Sequence, residues 1–257
     1  MSRARLLSAF FLGVSVCVAA RAQGDGRAAR REAADADACF LRAEESFGRG
    51  SYADALNLYK KAALLRPADA PAHNGVCVSL YNLGRLEGAA RACGRALGLQ
   101  PASPLARRNL GRVLQGLGRL EEAVEQFREA VRLRPDYEEA YDSLGEAYRG
   151  LGRDEEAARA FREAVRLKPD DAMSQNNLGV TYYMLGRYND AVAALERALR
   201  LRPDLAEGYG NLGSAYLALG KRDAALKQYQ LLKSLDPDLA SALLRLIYRD
   251  RIVDARR

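Results

Sequence analysis

The chain has 257 residues, of which 28% are charged and 49% hydrophobic, and its formal net charge is +7. This balance is only mildly basic, and aromatic residues do not alternate with basic ones, which argues against a groove for nucleic acid. The single histidine, His73, leaves a Ser-His-Asp or Cys-His nucleophile with one candidate base. The composition therefore favours a non-enzymatic protein with no cofactor, no metal and no nucleic-acid partner.

Residues 1–22 have the composition of a secretory signal peptide. Arg3 and Arg5 precede an uncharged apolar run, and small residues occupy the two positions that a signal peptidase reads. We expect cleavage near Ala22-Gln23, which removes three arginines and no acids and lowers the net charge from +7 to +4. The mature protein is then exported and is periplasmic or secreted.

Two alternatives stay open for this first segment. It is retained as an N-terminal anchor, or it is a lipoprotein signal in which Cys17 is acylated. The apolar run is short for a transmembrane helix, and Val16 stands where a lipoprotein signal has a small residue. Membrane association is therefore less favoured than cleavage. Residues 23–35 are polar, with glycine and arginine, and are expected to form a flexible N-terminal segment.

Proline, glycine and alanine then recur with a period of 34 residues. A fixed period of this size indicates a solenoid of stacked repeats. The units, numbered here as repeats 1 to 6, are 36–69, 70–103, 104–137, 138–171, 172–205 and 206–239. The recurring prolines are Pro67, Pro101, Pro135, Pro169, Pro203 and Pro237, and the recurring glycines are Gly50, Gly84, Gly118, Gly152, Gly186 and Gly220.

Each repeat is predicted to contain two helices, as repeat 3 illustrates. Leu110 and Leu114 share one face of the first helix, and Gly118 suits the left-handed residue that closes it. The second helix carries an apolar stripe and ends at Pro135. Position 8 of each repeat is small, which lets the two helix axes approach closely. These residues are Ala43, Cys77, Gly111, Gly145, Gly179 and Gly213.

This pattern resembles the tetratricopeptide repeat over residues 36–239, most closely in repeat 4. The matching residues there are Tyr141, Leu144, Gly145, Tyr148, Ala157, Phe161, Ala164 and Pro169. The resemblance implies an all-α, right-handed superhelical solenoid of six helix-turn-helix repeats. Residues 240–257 are predicted to form a capping helix and basic tail, with Leu243, Leu246 and Ile247 facing the stack.

The resemblance also implies a concave face lined by the first helix of each repeat. Carried over position by position, it gives a candidate groove for a protein partner that alternates apolar, basic and acidic zones. Its residues are Phe40, Phe47, Val78, Tyr81, Arg108, Arg112, Asp142, Glu146, Val180 and Tyr183. We assign none of these side chains to the core. Large apolar groups at groove positions are unusual unless a partner covers them, so they are candidate anchors for a ligand.

The mature chain keeps three cysteines. Cys77 and Cys93 occupy positions 8 and 24 of repeat 2, which face one another across the helix pair, and export permits disulfides. They form a bridge or, alternatively, stay reduced as small core residues. Cys39 is unpaired in either case.

The arginines and lysines near the ends of three second helices are predicted to line one edge of the solenoid. They match the helix dipole, and an anionic partner is the alternative explanation. The residues are Arg132, Arg134, Arg166, Lys168, Arg200 and Arg202.

The sequence therefore predicts an exported scaffold or adaptor that binds a peptide or helix in its groove. By analogy with other exported tetratricopeptide proteins of this size, the scaffold is expected to act in the assembly of envelope machinery. The alternatives are a membrane-associated envelope factor, held by the basic edge or a lipidated Cys17, and an accessory subunit of a larger enzyme complex. Neither the partner nor the oligomeric state is identified.

Overall fold

A computed structural model describes residues 30–254, with side-chain surroundings for residues 30–248. The predicted signal peptide, its cleavage site and Cys17 lie outside the described residues. The described part is an all-α helical repeat, as predicted. Its helices are α1 (30–48), α2 (Tyr52–Leu65), α3 (Ala70–Asn82), α4 (Leu86–Leu99), α5 (Pro104–Gly116), α6 (Leu120–Leu133), α7 (Glu138–Gly150), α8 (Asp154–Leu167), α9 (Ala172–Met184), α10 (Tyr188–Leu201), α11 (Ala206–Ala218), α12 (Arg222–Leu235) and α13 (Pro237–Asp254).

The chain divides into two compact units. Unit 1 is Met1–Ala102, and its described part holds α1 to α4; unit 2 is Ser103–Arg257, and its described part holds α5 to α13. In unit 1, α3 packs on both α2 and α4. In unit 2, each helix from α5 onward packs on the next, and α13 also packs on α11. Among the described helices, none combines the length and apolar character that a bilayer crossing requires.

Glycine closes the first helix of each repeat, as the sequence predicts. Gly118 has φ +74°, a left-handed conformation that side chains disfavour. Its N–H donates to the Gln115 carbonyl, and the next N–H, of Arg119, donates to the Leu114 carbonyl at 2.9 Å. This pair of bonds satisfies carbonyls that the helix end would otherwise leave open. The equivalent glycines of the other repeats have φ between 69° and 76°.

The two helices of repeat 4 cross where Gly145 faces Phe161. Phe161 has no exposed surface, and a Cβ added to Gly145 would lie only 2.7 Å from its ring. Gly111 meets Phe127 in the same way in repeat 3. The small residue predicted at position 8 is therefore required because the phenylalanine ring of the second helix leaves no space for a side chain.

Position 4 of several repeats forms a hydrogen bond that the sequence did not predict. His73 Nε2 lies 3.0 Å from the Pro67 carbonyl oxygen, six residues earlier. Because that carbonyl can only accept, Nε2 carries the hydrogen. Gln175 and Tyr209 donate to the carbonyls of Pro169 and Pro203 from the same position. His73 thus joins one repeat to the preceding one.

Both ends of the repeat region differ from expectation. Residues 30–35, which we predicted to be flexible, are helical, and the Ala33 carbonyl accepts a 2.7 Å hydrogen bond from Arg66. In α13, Leu243 and Ile247 are buried as predicted, whereas Leu246 is 48% exposed. The prediction that Leu246 faces the stack is wrong, because α13 turns this side chain toward an open cleft.

Candidate functional site

A cleft of about 500 Å³ opens in unit 2, where α9, α11 and α13 meet the end of α7. We call it the C-terminal cleft. It mixes polar groups from the repeat helices with leucines from the capping helix. The residues that decide its chemistry are Arg149, Asn177, Val180, Asn211, Leu239 and Leu246.

Amides form the polar wall of the C-terminal cleft. Asn211 Nδ2 donates to Asn176 Oδ1 at 3.1 Å, and Asn176 is only 4% exposed. This bond orients the Asn211 side chain. Asn177, the next residue of α9 after Asn176, is partly exposed in the cleft. A side-chain amide offers both a donor and an acceptor, so this wall can pair with a peptide backbone.

Leucines form the opposite wall. Leu239 and Leu246, from α13, are 37% and 48% exposed. Exposed leucines beside an oriented amide form the mixed surface typical of ligand sites. The repeat positions alone indicated Val180 as a groove residue. They did not indicate Leu239 or Leu246, because the direction of α13 depends on its packing against α11 and α12.

The predicted groove aromatics are partly committed to intramolecular contacts. Phe47 packs edge-on against Tyr52 with ring centroids 5.2 Å apart, and Tyr183 packs at 5.5 Å against Tyr188. Phe40 packs edge-on against Tyr59 at 5.5 Å. The expectation that these side chains make no core contacts is therefore wrong for Phe40 and Tyr183, which pack against buried residues. Phe47 contacts Tyr52, and both of these residues are partly exposed.

The remaining predicted groove residues of unit 1 lie on α3. Val78 and Tyr81 are partly exposed. On α1, the carboxylate of Glu44 accepts a hydrogen bond from the Tyr59 hydroxyl. Burial, with this carboxylate adding to it, raises the pKa of the Tyr59 phenol. Glu44 is thus used to hold α2 against α1.

Arg108 and Arg112 lie on α5 and are partly exposed. The Arg108 Nε donates to the Glu139 carbonyl at 3.3 Å, and its guanidinium lies 5.7 Å from the Tyr137 ring. Arg108 therefore contributes to the packing of α5 and α7, as well as presenting a positive charge.

The predicted acidic zone is divided by the structure. Glu146 is exposed, whereas Asp142 is turned toward α9. Asp142 Oδ2 accepts a 2.6 Å hydrogen bond from the Ser174 hydroxyl. Carboxylate oxygens of Glu138, Asp142 and Asp171 all lie within 4.8 Å of one another.

Asp142 has an unusual acidity as a result. Burial raises its pKa to about 7, the Ser174 hydrogen bond opposes this shift, and Glu138 reinforces it. Asp171 has a separate structural use, since it accepts from the backbone N–H of Ser174 at 2.8 Å and caps α9.

Three of the six residues of the predicted basic edge are paired with carboxylates of their own helices. Arg132 binds Glu129 at 2.7 Å and Arg166 binds Glu163 at 2.8 Å. Arg134 instead stacks on the Tyr137 ring at 3.3 Å. These contacts favour the dipole-matched explanation of the edge over an anionic partner.

Unit 1 contains a disulfide between Cys77 of α3 and Cys93 of α4, with a Cα–Cα distance of 5.2 Å. Both residues have no exposed surface. Cys39 is a free, buried cysteine. The bridge occupies the positions at which repeats 3 and 4 place a glycine against phenylalanine.

Comparisons with known proteins identify the fold. Solved structures similar to this chain include pilF of Pseudomonas aeruginosa, with TM-score 0.73, 20% identity, and coverage of 87% of this chain and 99% of pilF. YrrB, described as a TPR protein with an unusual peptide-binding site, has TM-score 0.63 and 22% identity, with coverage of 73% of this chain and 97% of YrrB.

A third similar structure is the APC/C hetero-tetramer Cut9-Hcn1, with TM-score 0.71 and 22% identity. The match covers 83% of this chain but only 42% of the matched chain. Among curated proteins, no sequence relative is found.

The family model described as tetratricopeptide repeat matches five overlapping stretches. They are residues 40–104, 78–138, 108–172, 143–206 and 176–240. Because these matches cover most of the sequence and the described fold is a helical repeat, the chain belongs to the tetratricopeptide repeat family.

Proposed function

We propose that the protein is an exported, non-catalytic scaffold that binds a peptide segment of a protein partner in the C-terminal cleft. The observation that carries this proposal is the pairing of oriented amides with exposed leucines. Asn211 is held by Asn176, and Leu246 stands 48% exposed beside it. Apolar side chains exposed beside polar groups are typical of surfaces that a partner covers.

The comparisons support binding of this general kind. The tetratricopeptide fold generally mediates protein–protein interactions, and its members are generally non-catalytic scaffolds. YrrB is described as having a peptide-binding site. An adaptor role in envelope assembly extends the proposal further and rests on the expected export.

The signal-like composition of residues 1–22 supports export, and the Cys77–Cys93 disulfide is compatible with an oxidising compartment. Mass spectrometry of the mature N-terminus tests this part of the proposal. A chain that starts at Gln23 supports export with cleavage. An acylated Cys17 would replace it with a membrane-anchored protein.

Binding is tested by selecting peptides from a random displayed library on the mature protein and measuring their affinity for two variants. Leu246→Glu places a charge on the apolar wall of the cleft. Leu231→Glu is the matched control, because Leu231 is 51% exposed on α12 and is not part of the cleft. We expect Leu246→Glu to weaken the selected peptides by at least about tenfold, which corresponds to ~1.4 kcal/mol.

Equal affinities of the selected peptides for Leu246→Glu and wild type would contradict the cleft as the binding site. Loss of affinity in the Leu231→Glu control would move the site to the outer face of α12. Circular dichroism of each variant establishes that the helices are intact.

A further inference from the structure

A second groove, of about 630 Å³, lies on unit 1 between α3 and α4, and the side chain of Lys60 from α2 also lines it. We call it the α4 groove. Its floor is apolar and includes Val76 and Leu80 of α3. Its rim carries one carboxylate, Glu87, and four cations, which are Lys60, Arg85, Arg91 and Arg95. A groove of similar volume on α8 of unit 2 is also rich in arginine, but its Arg166 is paired with Glu163 at 2.8 Å.

Arg85 stands at a position where later repeats have a paired arginine. Arg119, Arg153 and Arg187 each bind the carboxylate three residues further on, with N–O distances of 2.6, 2.5 and 2.7 Å. In repeat 2, Gly88 occupies the place of that carboxylate. The replacement removes the negative charge that would neutralise Arg85.

A second partner of this arginine has also been replaced. In repeat 4, Arg153 lies 4.9 Å from the Tyr148 ring centroid. The residue equivalent to Tyr148 in repeat 2 is Leu80, which forms the groove floor. Within residues 30–248, Arg85 therefore has neither a carboxylate nor a ring as partner.

The second ion pair of the repeat is changed as well. In repeat 3, Glu129 at position 26 binds Arg132 at position 29, with an N–O distance of 2.7 Å. Repeat 2 has Arg95 and Gly98 at these two positions. Arg95 is exposed, and its charge adds to the rim instead of being cancelled. The Glu129/Arg132 pair of repeat 3 has no net charge, whereas Arg95 and Gly98 together carry +1. This change and the loss of the carboxylate at Gly88 both make the surface of α4 more positive.

We infer that the α4 groove is a docking site for an acidic peptide segment of a partner protein, with an apolar side chain of the segment on the groove floor. The carboxylates of the peptide would lie against the four rim cations. A Cβ at Gly88 would contact Leu80 Cδ1 at 3.4 Å, so glycine at this position leaves the small exposed part of Leu80 uncovered.

The shape of the groove selects a peptide over a bilayer. A flat layer of anionic headgroups would contact the rim cations but would not fill the space between them. An apolar side chain of a peptide fills it and contacts the small exposed parts of Val76 and Leu80, which are 8% and 9% exposed. The occupant therefore combines negative charge with at least one apolar side chain.

The disulfide keeps the groove in place. Helix α4 contains Gly88, Gly94 and Gly98, and glycine is a poor helix former. The bond between Cys77 and Cys93 fixes α4 to α3, whose side chains form the floor. A helix that is weak by composition is thus held rigid, which reduces the conformational entropy lost when a ligand binds. This site lies on a different unit from the C-terminal cleft and does not depend on it.

The test measures binding of a labelled synthetic helical peptide in which pairs of glutamates flank single leucines, by fluorescence anisotropy on the mature protein. The variant Arg91→Glu with Arg95→Glu should weaken binding by at least about tenfold. Gly88→Glu, which restores the carboxylate found in repeats 3 and 4, should also weaken it while preserving the thermal midpoint.

The matched control is Arg159→Glu with Arg162→Glu, which makes the same charge change at exposed positions of α8. It should retain wild-type affinity. A peptide with glutamine in place of every glutamate should bind at least about tenfold more weakly.

Three outcomes would overturn the inference. They are no binding of the glutamate peptide, equal loss in the α4 and α8 variants, and equal binding of the glutamine peptide. Vesicles of phosphatidylglycerol and phosphatidylcholine provide a competing ligand. Binding to these vesicles that depends on Arg91 and Arg95, in the absence of peptide binding, would also overturn it and assign the rim to a membrane surface.

Discussion

Repeats 2 and 4 close the same helix crossing by different means. In repeat 4, Gly145 admits the fully buried ring of Phe161, and the contact is held by packing alone. In repeat 2, the same two positions are Cys77 and Cys93, and a covalent bond replaces the ring. The comparison shows that the repeat requires the space between its helices to be occupied, but not by one kind of side chain.

The two solutions have different sensitivities. A packed ring depends on the volume of its neighbours, because protein interiors have little free space. A disulfide joins the two helices covalently, so it needs less side-chain volume between them, but it depends on the redox state of its surroundings. Repeat 2 should therefore respond to reductant, and repeat 4 to changes in volume.

The largest expected effect is on the disulfide. Replacing Cys77 and Cys93 together with alanine should lower the free energy of unfolding of unit 1 by about 3 kcal/mol, because the bridge closes a loop of 16 residues. Hydrogen exchange should accelerate in α3 and α4 and stay unchanged in α7 and α8. Wild-type protein treated with reductant is the control, and it should resemble the variant. If untreated wild type, reduced wild type and the variant all exchange at the same rate, repeat 2 is held by packing and not by the disulfide.

A smaller loss is expected when repeat 4 is overpacked. Gly145→Leu places a side chain where even a Cβ lies 2.7 Å from the Phe161 ring, and overpacking of this kind costs about 1–3 kcal/mol. Gly94→Leu is the control, since a Cβ at Gly94 has nothing within 4 Å. Thermal unfolding should separate the two variants. A Gly145→Leu midpoint equal to that of the control would mean that the helices separate without cost.

The smallest effect concerns pH, and it should distinguish unit 2 from unit 1. Burial raises the pKa of Asp142 to about 7, so between about pH 4 and pH 7 the folded chain holds a proton that the unfolded chain has lost. Stability contributed by this group is therefore complete at low pH and is lost as pH rises toward 7.

Asp142→Asn should remove this slope, because asparagine keeps an acceptor for the Ser174 hydroxyl and carries no charge. We expect its thermal midpoint at pH 7.5 to exceed that of wild type by about 3 °C, with no difference at pH 4. Glu146→Gln is the control, as Glu146 is an exposed carboxylate on the same helix. If the thermal midpoint of the wild type does not decrease as the pH is raised from 4 to 7, the burial of Asp142 is contradicted.

The helices, their turns and the crossing could be predicted because the same local signals recur every 34 residues. Gly118 and Pro135 have counterparts in all of the other five repeats, so the signals reinforce one another. The groove could be predicted only as a set of positions. Whether Phe47 or Tyr183 is available depends on the aromatic residue five places later, which the family pattern does not include.

Other features depend on geometry that one repeat does not contain. The environment of Asp142 requires Ser174 from the next repeat, and the exposure of Leu246 requires the direction of α13. The missing carboxylate partner of Arg85 is a different case. The sequence does show that Gly88 replaces the acidic residue found at this position in neighbouring repeats. This replacement becomes informative only when the structure shows that Arg119 and Arg153 are paired with that acidic residue.

The hydrogen bond from position 4 to the proline carbonyl has a consequence for how such arrays diverge. A ring nitrogen of His73, an amide of Gln175 and a phenol of Tyr209 all reach the same acceptor across the junction between repeats. At these three junctions the common requirement is therefore a donor of sufficient reach and not an aromatic ring. An engineered array that uses phenylalanine there would keep the apolar volume and lose these bonds between repeats, so its repeats should slide or splay more readily than those of this chain.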